Sequence, residues 1–443
     1  MQSAGTAPGA IDLNQMNPLS SPLLTDLYQL TMLQAYFERE MTETAVFELF
    51  VRKLPPGRDF LVAAGLEQAL AFLEQMRFGD EELDWIERSG LFRREFAARL
   101  AQLRFTGDIH AMPEGTVFFP DEPVLRVVAP LPEAQLIETR VLNLVHFETV
   151  IASKAARLRR AAPGKGLIDF GLRRAHGGEA GLLAARAAYL AGFDGSATAL
   201  AAPLFGIPVF GTMAHSFVQA HDSEAEAFAH FAAAFPDNAV LLIDTYDTAE
   251  GARRAVGAAR KLKGVRLDSG DLDALSRQVR KILDEAGHKQ AIIFASGNLD
   301  EARVAALVRS GAPIDSFGIG TGLTTSADAP YLDAVYKLEE YAGQPRRKRS
   351  AGKATWPGRK QVYRHYVGDG RFRRDVVSTE GDAQSGEPLL RQAMQRGRRL
   401  PQPSLAASRA HCLAQLERVP EGAYPVEISA ALRALAEQVD RIT

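Results

Sequence analysis

One cysteine, Cys412, and two tryptophans are all that the 443 residues contain of those types. A lone thiol cannot close an internal disulfide, so packing must hold the fold, and this usage suits a reducing cytoplasm. An excess of one charge is missing too. Lys and Arg number 52 against 54 Asp and Glu, a formal net charge of −2. No global attraction to nucleic acid or to a membrane surface is expected from that balance. No run of about 18 apolar residues occurs, so no membrane-spanning helix is expected. Residues 1–22 carry no Lys or Arg and no apolar core. They resemble neither a signal peptide nor a transit peptide, and read as a disordered arm. No internal repeat is visible.

What is present is a change of rhythm along the chain. The length exceeds the roughly 100–200 residues of one domain, so two domains, or a barrel with additions, are expected. Residues 23–135 read as an α+β domain. A helix is expected over Leu23–Glu38, capped by Thr25 or Asp26, then a strand over Ala45–Leu54. Helices follow over Leu61–Gly79 and Asp80–Leu103, then short strands cut by Pro and Gly turns up to Val128. Residues 136–340 begin with a long helix, Glu138–Arg160, and then alternate strand, loop and helix. Candidate strands are Leu167–Phe170, a short one near Phe193, Val209–Phe210, Val240–Ile243, Val265–Leu267, Ala291–Ala295 and Ile314–Ile319. Parallel strands need such crossovers. Six or seven such units favour a closed or nearly closed α/β barrel, with an open doubly wound sheet as the alternative. Residues 341–443 form a third region. Gly343–Lys360 reads as a basic, solvated surface loop. Two short strands within Val362–Val377 are expected to rejoin the first domain's sheet, and the last sixty residues read as a helical extension.

Barrel chemistry sits where strands end. Thr212 and His215 follow one strand in VFGTMAHSFV; a lone His at a helix start is also an ordinary cap or surface residue. Arg173 and Arg174 follow another strand, and one is expected to face in and the other out. Arg266 lies inside a strand, where it needs an anionic partner, either a ligand or an acid on a neighbouring strand. Asp268 and Asp271 of LDSGD can hold ribose hydroxyls and a divalent cation, or cap the next helix. Ser296-Gly297-Asn298 and Gly318-Ile319-Gly320-Thr321-Gly322 read as phosphate cradles or as plain tight turns. Tyr28, far away in sequence, reads as a packed tyrosine.

TDLYQLTM, FGLRRA, GTMAHSFV, LIDTYDT, VRLDSGD, FASGN and FGIGTGLTT, in this order, resemble the nicotinate phosphoribosyltransferase family. The likeness runs from about Leu23 to Arg364, including KRSAGKATWPGRKQVYR, and the tail past about 380 adds little to it. The resemblance implies transfer of a phosphoribosyl group from phosphoribosyl pyrophosphate to nicotinate, giving nicotinate mononucleotide and pyrophosphate. ATP enters as co-substrate through a phosphorylated histidine, and Mg2+ accompanies the pyrophosphate. It further implies an irregular, TIM-like α/β barrel with an α/β sandwich domain, in a homodimer. By resemblance His215 is the phosphorylated residue. Tyr28, Thr212 and Arg266 contact nicotinate, with Phe170 near the ring. Arg173, Asp268, Ser269, Gly270 and Asp271 serve the ribose and pyrophosphate, and Gly297, Asn298, Gly320 and Thr321 hold the 5′-phosphate. The metal ligands stay unassigned. The nicotinamide-using relative carries an acid in its GTDT stretch, where this chain has Ala197 in Gly195-Ser196-Ala197-Thr198. That favours an anionic base. A nicotinamide-specific transferase and a non-catalytic metabolite-binding barrel are the alternatives.

Overall fold

Thr44–Val51 pairs antiparallel on both sides, with Ala334–Tyr341 and with Pro123–Pro130. Every residue of it but Thr44 is buried, so the half-exposed alternation of a one-sided strand is absent. It is an interior strand of a seven-stranded sheet completed by Gln344–Pro345, Asp108–Ala111, Arg391–Gln395 and Arg398–Arg399. The computed structural model describes residues 17–259 and 261–442, in two units. The first unit combines residues up to 149 with those from 331 onward, and the second spans Val150–Pro330. Helix Glu138–Ala161 runs through the first division.

In the first unit several expectations are corrected. Residues 1–16 of the expected arm lie outside the described residues. The rest of that arm is ordered: Pro18–Ser20 is a short turn capped by the Asn17 side chain, and buried Ser21 donates to Glu82. The first helix is Leu27–Glu38, and Asp26, at its cap position, accepts instead from Thr139. Leu61–Val62 is a strand rather than a helix start, and the stretch expected as one helix is two, Asp80–Arg88 and Arg94–Gln102. The strands Lys360–Tyr366 and Phe372–Thr379 do not join the seven-stranded sheet. They form a four-stranded sheet with Glu387–Pro388 and Val426–Ile428. The tail is not a helical extension either, because among its described residues only Leu405–Leu416 and Ala430–Ile442 are helices. Arg391–Gln395 is a strand because Asp108–Ala111 offers it a ladder, a long-range partner that overrides its composition.

The basic loop is likewise solvated only in part. Thr355 and Lys360 are buried. Thr355 donates to Glu339 Oε2 at 3.0 Å, and Lys360 Nζ lies 2.9 Å from Glu48 Oε2. Burial pushes the Glu339 carboxyl up to about 8, against the pull of Lys360 and with the push of Glu48. Its folded value thus exceeds the unfolded one, so the stabilisation is complete below the ordinary value of 4.5 and lost as pH rises through about 8. Each unit of pH in that window costs at most about 1.4 kcal/mol. Denaturant melts at pH 5.5 and 8 are expected to show the wild type losing about 2–3 kcal/mol, and Glu339→Gln losing much less. Equal losses would contradict this.

The second unit is built on six parallel strands in the order Gly195–Ser196, Gly166–Asp169, Ser316–Ile319, Ile292–Ala295, Gly264–Leu267, Val240–Leu242. Each strand pairs with a sequence neighbour, and the last, Ser316–Ile319, pairs with the first, Gly166–Asp169. Val209 adds a single parallel bridge to Ser196 rather than a full strand. Among the described residues no ladder joins Val209 to Val240–Leu242, the one gap in the cycle. Connecting helices such as Gly178–Leu190 and Leu272–Glu285 bury their apolar residues. The loops that leave the carboxyl ends of the strands therefore gather at one end of the sheet.

Candidate active site

These loops enclose a cavity of about 1040 Å³ within the second unit. Arg266, in strand Gly264–Leu267, is its electrostatic centre. Its Nε donates to Ser296 Oγ at 2.9 Å, Nη1 to Thr212 Oγ1 at 3.2 Å, and Nη2 to Asp268 Oδ1 at 2.7 Å. The acid it pairs with is thus two residues along its own chain, not on a neighbouring strand. A guanidinium has about five N–H donors, so these contacts leave one on each terminal nitrogen for a ligand. Its carbon lies 5.1 Å from the centroid of the Phe170 ring, which packs on Phe294 at 5.3 Å. An aromatic face, a planar cation and a buried floor fit a flat anionic ring.

Asp268 is held in its ionised form. Burial pushes its carboxyl up, but the Ser296 hydroxyl, Arg266 and His215 together bring it below the usual range. Its backbone N–H and the Ser269 hydroxyl both donate to Asp244 Oδ2, at 2.8 and 2.6 Å, so Asp244 fixes the start of the LDSGD loop. Asp271 turns away: its carboxylate accepts from the N–H groups of Asp273 and Ala274 and caps helix Leu272–Glu285. Of the LDSGD residues only Asp268 lines the cavity; Ser269, Gly270 and Asp271 do not.

His215 opens helix His215–Gln219. Its Nδ1 lies 3.1 Å from Thr245 Oγ1 and its Nε2 3.9 Å from Asp268 Oδ2, with the side chain 40% exposed. The imidazole is anchored on one side and open on the other. Arg173 and Arg174 both line the cavity and both are exposed, which corrects the expectation that one faces outward. Neither has a salt-bridge partner among the described residues. Tyr28 belongs to the first unit, on helix Leu27–Glu38, and is 48% exposed.

The two glycine loops meet the cavity from adjacent strands. Gly297 has φ +100°, and a Cβ there would lie 2.1 Å from the Asp268 carbonyl oxygen, so only glycine fits. Asn298 follows with φ +48°. Gly320 precedes the short helix Thr321–Thr324; the Leu323 and Thr324 N–H groups donate to the Gly320 carbonyl, and those of Thr321 and Gly322 stand ahead of the helix's own hydrogen bonds. Ala197 lines the cavity, and its N–H donates to the Asp169 carbonyl. Asp169 itself is buried, which pushes its carboxyl up; it accepts from Ser196 Oγ and the Gly171 N–H.

A further part of the wall was not anticipated from the sequence. Lys154 and Arg157, on helix Glu138–Ala161, meet Glu301 and Asp328 there. Asp244 and Thr245 are further residues that sequence reasoning left without a role, and Ser296 was read only as part of a phosphate cradle or turn, not as the partner of Arg266 and Asp268. They follow strands already marked as site-bearing, which was the available signal.

Comparison with known proteins decides the family. A sequence model of the nicotinate phosphoribosyltransferase N-terminal domain matches residues 23–146, and the nicotinate phosphoribosyltransferase family model matches 166–353. The chain belongs to the nicotinate phosphoribosyltransferase family. It is 49% identical over 424 residues to nicotinate phosphoribosyltransferase pncB2 of Mycobacterium tuberculosis, covering 92% of this chain and 91% of that one. It is 44% identical over 359 residues to nicotinate phosphoribosyltransferase of Bacillus subtilis, covering 78% and 73%. The crystal structure of human nicotinic acid phosphoribosyltransferase superposes with a TM-score of 0.84 at 31% identity, covering 94% and 99%. The nicotinate phosphoribosyltransferase family model spans Arg266, Asp268, His215 and both glycine loops, whereas Lys154 and Arg157 fall between the two matched stretches.

Proposed function

We propose that this chain joins nicotinate to phosphoribosyl pyrophosphate in the cavity around Arg266, giving nicotinate mononucleotide and pyrophosphate, a step of NAD biosynthesis. The observation that carries the reading is Arg266, tied to Asp268 and Ser296 beneath the Phe170 ring, with donors left for a carboxylate. Nicotinate places its carboxylate on Arg266 and its ring against Phe170, with Thr212 alongside. Tyr28 is assigned to the same substrate by resemblance. The pyridine nitrogen has a free lone pair, so no general base is needed. It attacks the sugar carbon as the bond to pyrophosphate breaks and that electron pair leaves on the pyrophosphate oxygen. Ionised Asp268 supports the positive charge that develops at the sugar. Arg173 and Arg174 receive the pyrophosphate, which arrives and leaves with Mg2+. Gly297, Asn298, Gly320 and Thr321 hold the 5′-phosphate on backbone N–H groups. Ser269, Gly270 and Asp271 keep a supporting place, shaping the loop that presents Asp268.

Three further parts belong to this reading. ATP phosphorylates His215, on the imidazole nitrogen that Thr245 does not hold. The six parallel strands form an irregular barrel with one open seam between Val209 and Val240, in keeping with their cyclic order. The enzyme works in the cytoplasm as a homodimer, and light scattering that shows a fully active monomer would overturn the dimer.

Product formation tests the function. Purified protein with nicotinate, phosphoribosyl pyrophosphate and Mg2+ is expected to yield nicotinate mononucleotide, faster with ATP. No product under either condition would refute the reading. The phosphate placement has its own test. A Cβ at Gly320 would lie 3.1 Å from the Phe170 carbonyl oxygen, close enough to need only a small shift. Gly320→Val, at a backbone conformation (φ −108°, ψ −101°) outside the regions a branched side chain favours, is expected to fold with a lowered melting temperature and to raise the KM for phosphoribosyl pyrophosphate about tenfold or more, because its methyl groups occupy the phosphate's place. An unchanged KM in a folded variant would remove the phosphate from this loop.

A further inference from the structure

We propose that Lys154 is a positioning residue that braces the two glycine loops of the cavity against one helix and so sets affinity for the phosphorylated end of the sugar substrate. This rests on the placement of the 5′-phosphate at those loops. The Lys154 side chain is 3% exposed, and its Nζ lies 2.5 Å from Glu301 Oε2 and 2.7 Å from Asp328 Oδ1. The two carboxylates come from different loops. Glu301 opens helix Glu301–Arg309, directly after Gly297-Asn298, and Asp328 follows the helix that starts at Thr321. Arg157, one turn along from Lys154, reaches the same pair, at 3.0 Å from Asp328 Oδ2 and 3.6 Å from Glu301 Oε1.

A buried ammonium is costly unless paired, so the position of Lys154 constrains both of its partners at once. Backbone N–H groups grip a phosphate only when the loops that carry them stand at the right separation, and a shift of about 1 Å is enough to lose that geometry. Four charges of alternating sign also leave this wall nearly neutral. Removing Lys154 loosens the loops, which Arg157 alone then ties, and leaves two carboxylates against one cation beside an anionic ligand.

The test is calorimetric binding of ribose 5-phosphate, pyrophosphate and nicotinate to the full chain. Lys154→Met is expected to weaken ribose 5-phosphate about tenfold or more and to leave pyrophosphate and nicotinate within about threefold. Lys154→Arg is expected to restore most of the loss. Glu301→Gln and Asp328→Asn, each cutting one arm of the brace, are expected to give intermediate losses, and they carry the test if Lys154→Met does not fold. Unchanged affinity for both ribose 5-phosphate and pyrophosphate in the folded variants would overturn the proposal, as would equal weakening of all three ligands, the mark of a merely structural lysine. Weakened pyrophosphate with unchanged ribose 5-phosphate would retain the brace and overturn the 5′-phosphate placement beneath it.

Discussion

Arg266→Ala is expected to cost nicotinate about a hundredfold or more in kcat/KM, with a far smaller change in the KM for phosphoribosyl pyrophosphate. Charged hydrogen bonds contribute roughly 1.5–3 kcal/mol each, and two unused donors face the cavity. The guanidinium also leans on Phe170, so the ring loses a cationic partner along with its carboxylate anchor. Asp268 keeps the Ser296 hydroxyl in the variant and so keeps part of its environment. That is why the sugar substrate is expected to suffer less. Steady-state kinetics with each substrate varied in turn read this out. Equal loss for both substrates would mean that Arg266 acts through Asp268 alone and does not select the base.

His215→Ala carries the second large effect. In the proposed cycle ATP gives its terminal phosphoryl group to an imidazole nitrogen, ADP leaves, and water later takes the group as phosphate. The added group brings about −1.5 to −2 charges by analogy with other phosphorylated side chains. Placed beside Asp268, 3.9 Å from the imidazole and itself a lining residue of the cavity with Arg173 and Arg174, that charge reorganises the mouth. A ligand shifts a conformation only through differential affinity, so the gain must appear in substrate affinity. The variant is expected to lose ATP hydrolysis and ATP stimulation entirely, while a slow ATP-independent transfer remains. Nicotinate mononucleotide and ADP are to be measured together. ADP release that persists in step with product would place the phosphoryl group on another residue.

What could be read in advance follows from where the information lies. Most strands of the second unit are short apolar runs that close on Asp, Ser or Gly, and those expected around Leu167, Val240, Val265, Ala291 and Ile314 all stand within a few residues of their expected places. The loops after them were legible for the same reason. Pairings across long stretches of chain were not. His215 finds Thr245 thirty residues on, and Lys154 finds Glu301 and Asp328 after more than a hundred. No local pattern records such contacts. The tail shows the converse error: its Arg and Glu content reads as helix, yet strand Arg391–Gln395 exists because a ladder awaited it. In LDSGD both alternatives for an acid were realised, one apiece, since Asp268 faces the cavity and Asp271 caps a helix.

Ala197 stands in the cavity wall where an acid would repel an anionic base, and Arg266 stands where a cation attracts one. A competition assay measures the result of both. Purified protein is given phosphoribosyl pyrophosphate, Mg2+ and equal concentrations of nicotinate and nicotinamide, and both mononucleotides are quantified. The account predicts nicotinate mononucleotide in at least about hundredfold excess, the ratio that about 2.7 kcal/mol of discrimination gives. Nicotinamide mononucleotide in comparable or greater amount would contradict it.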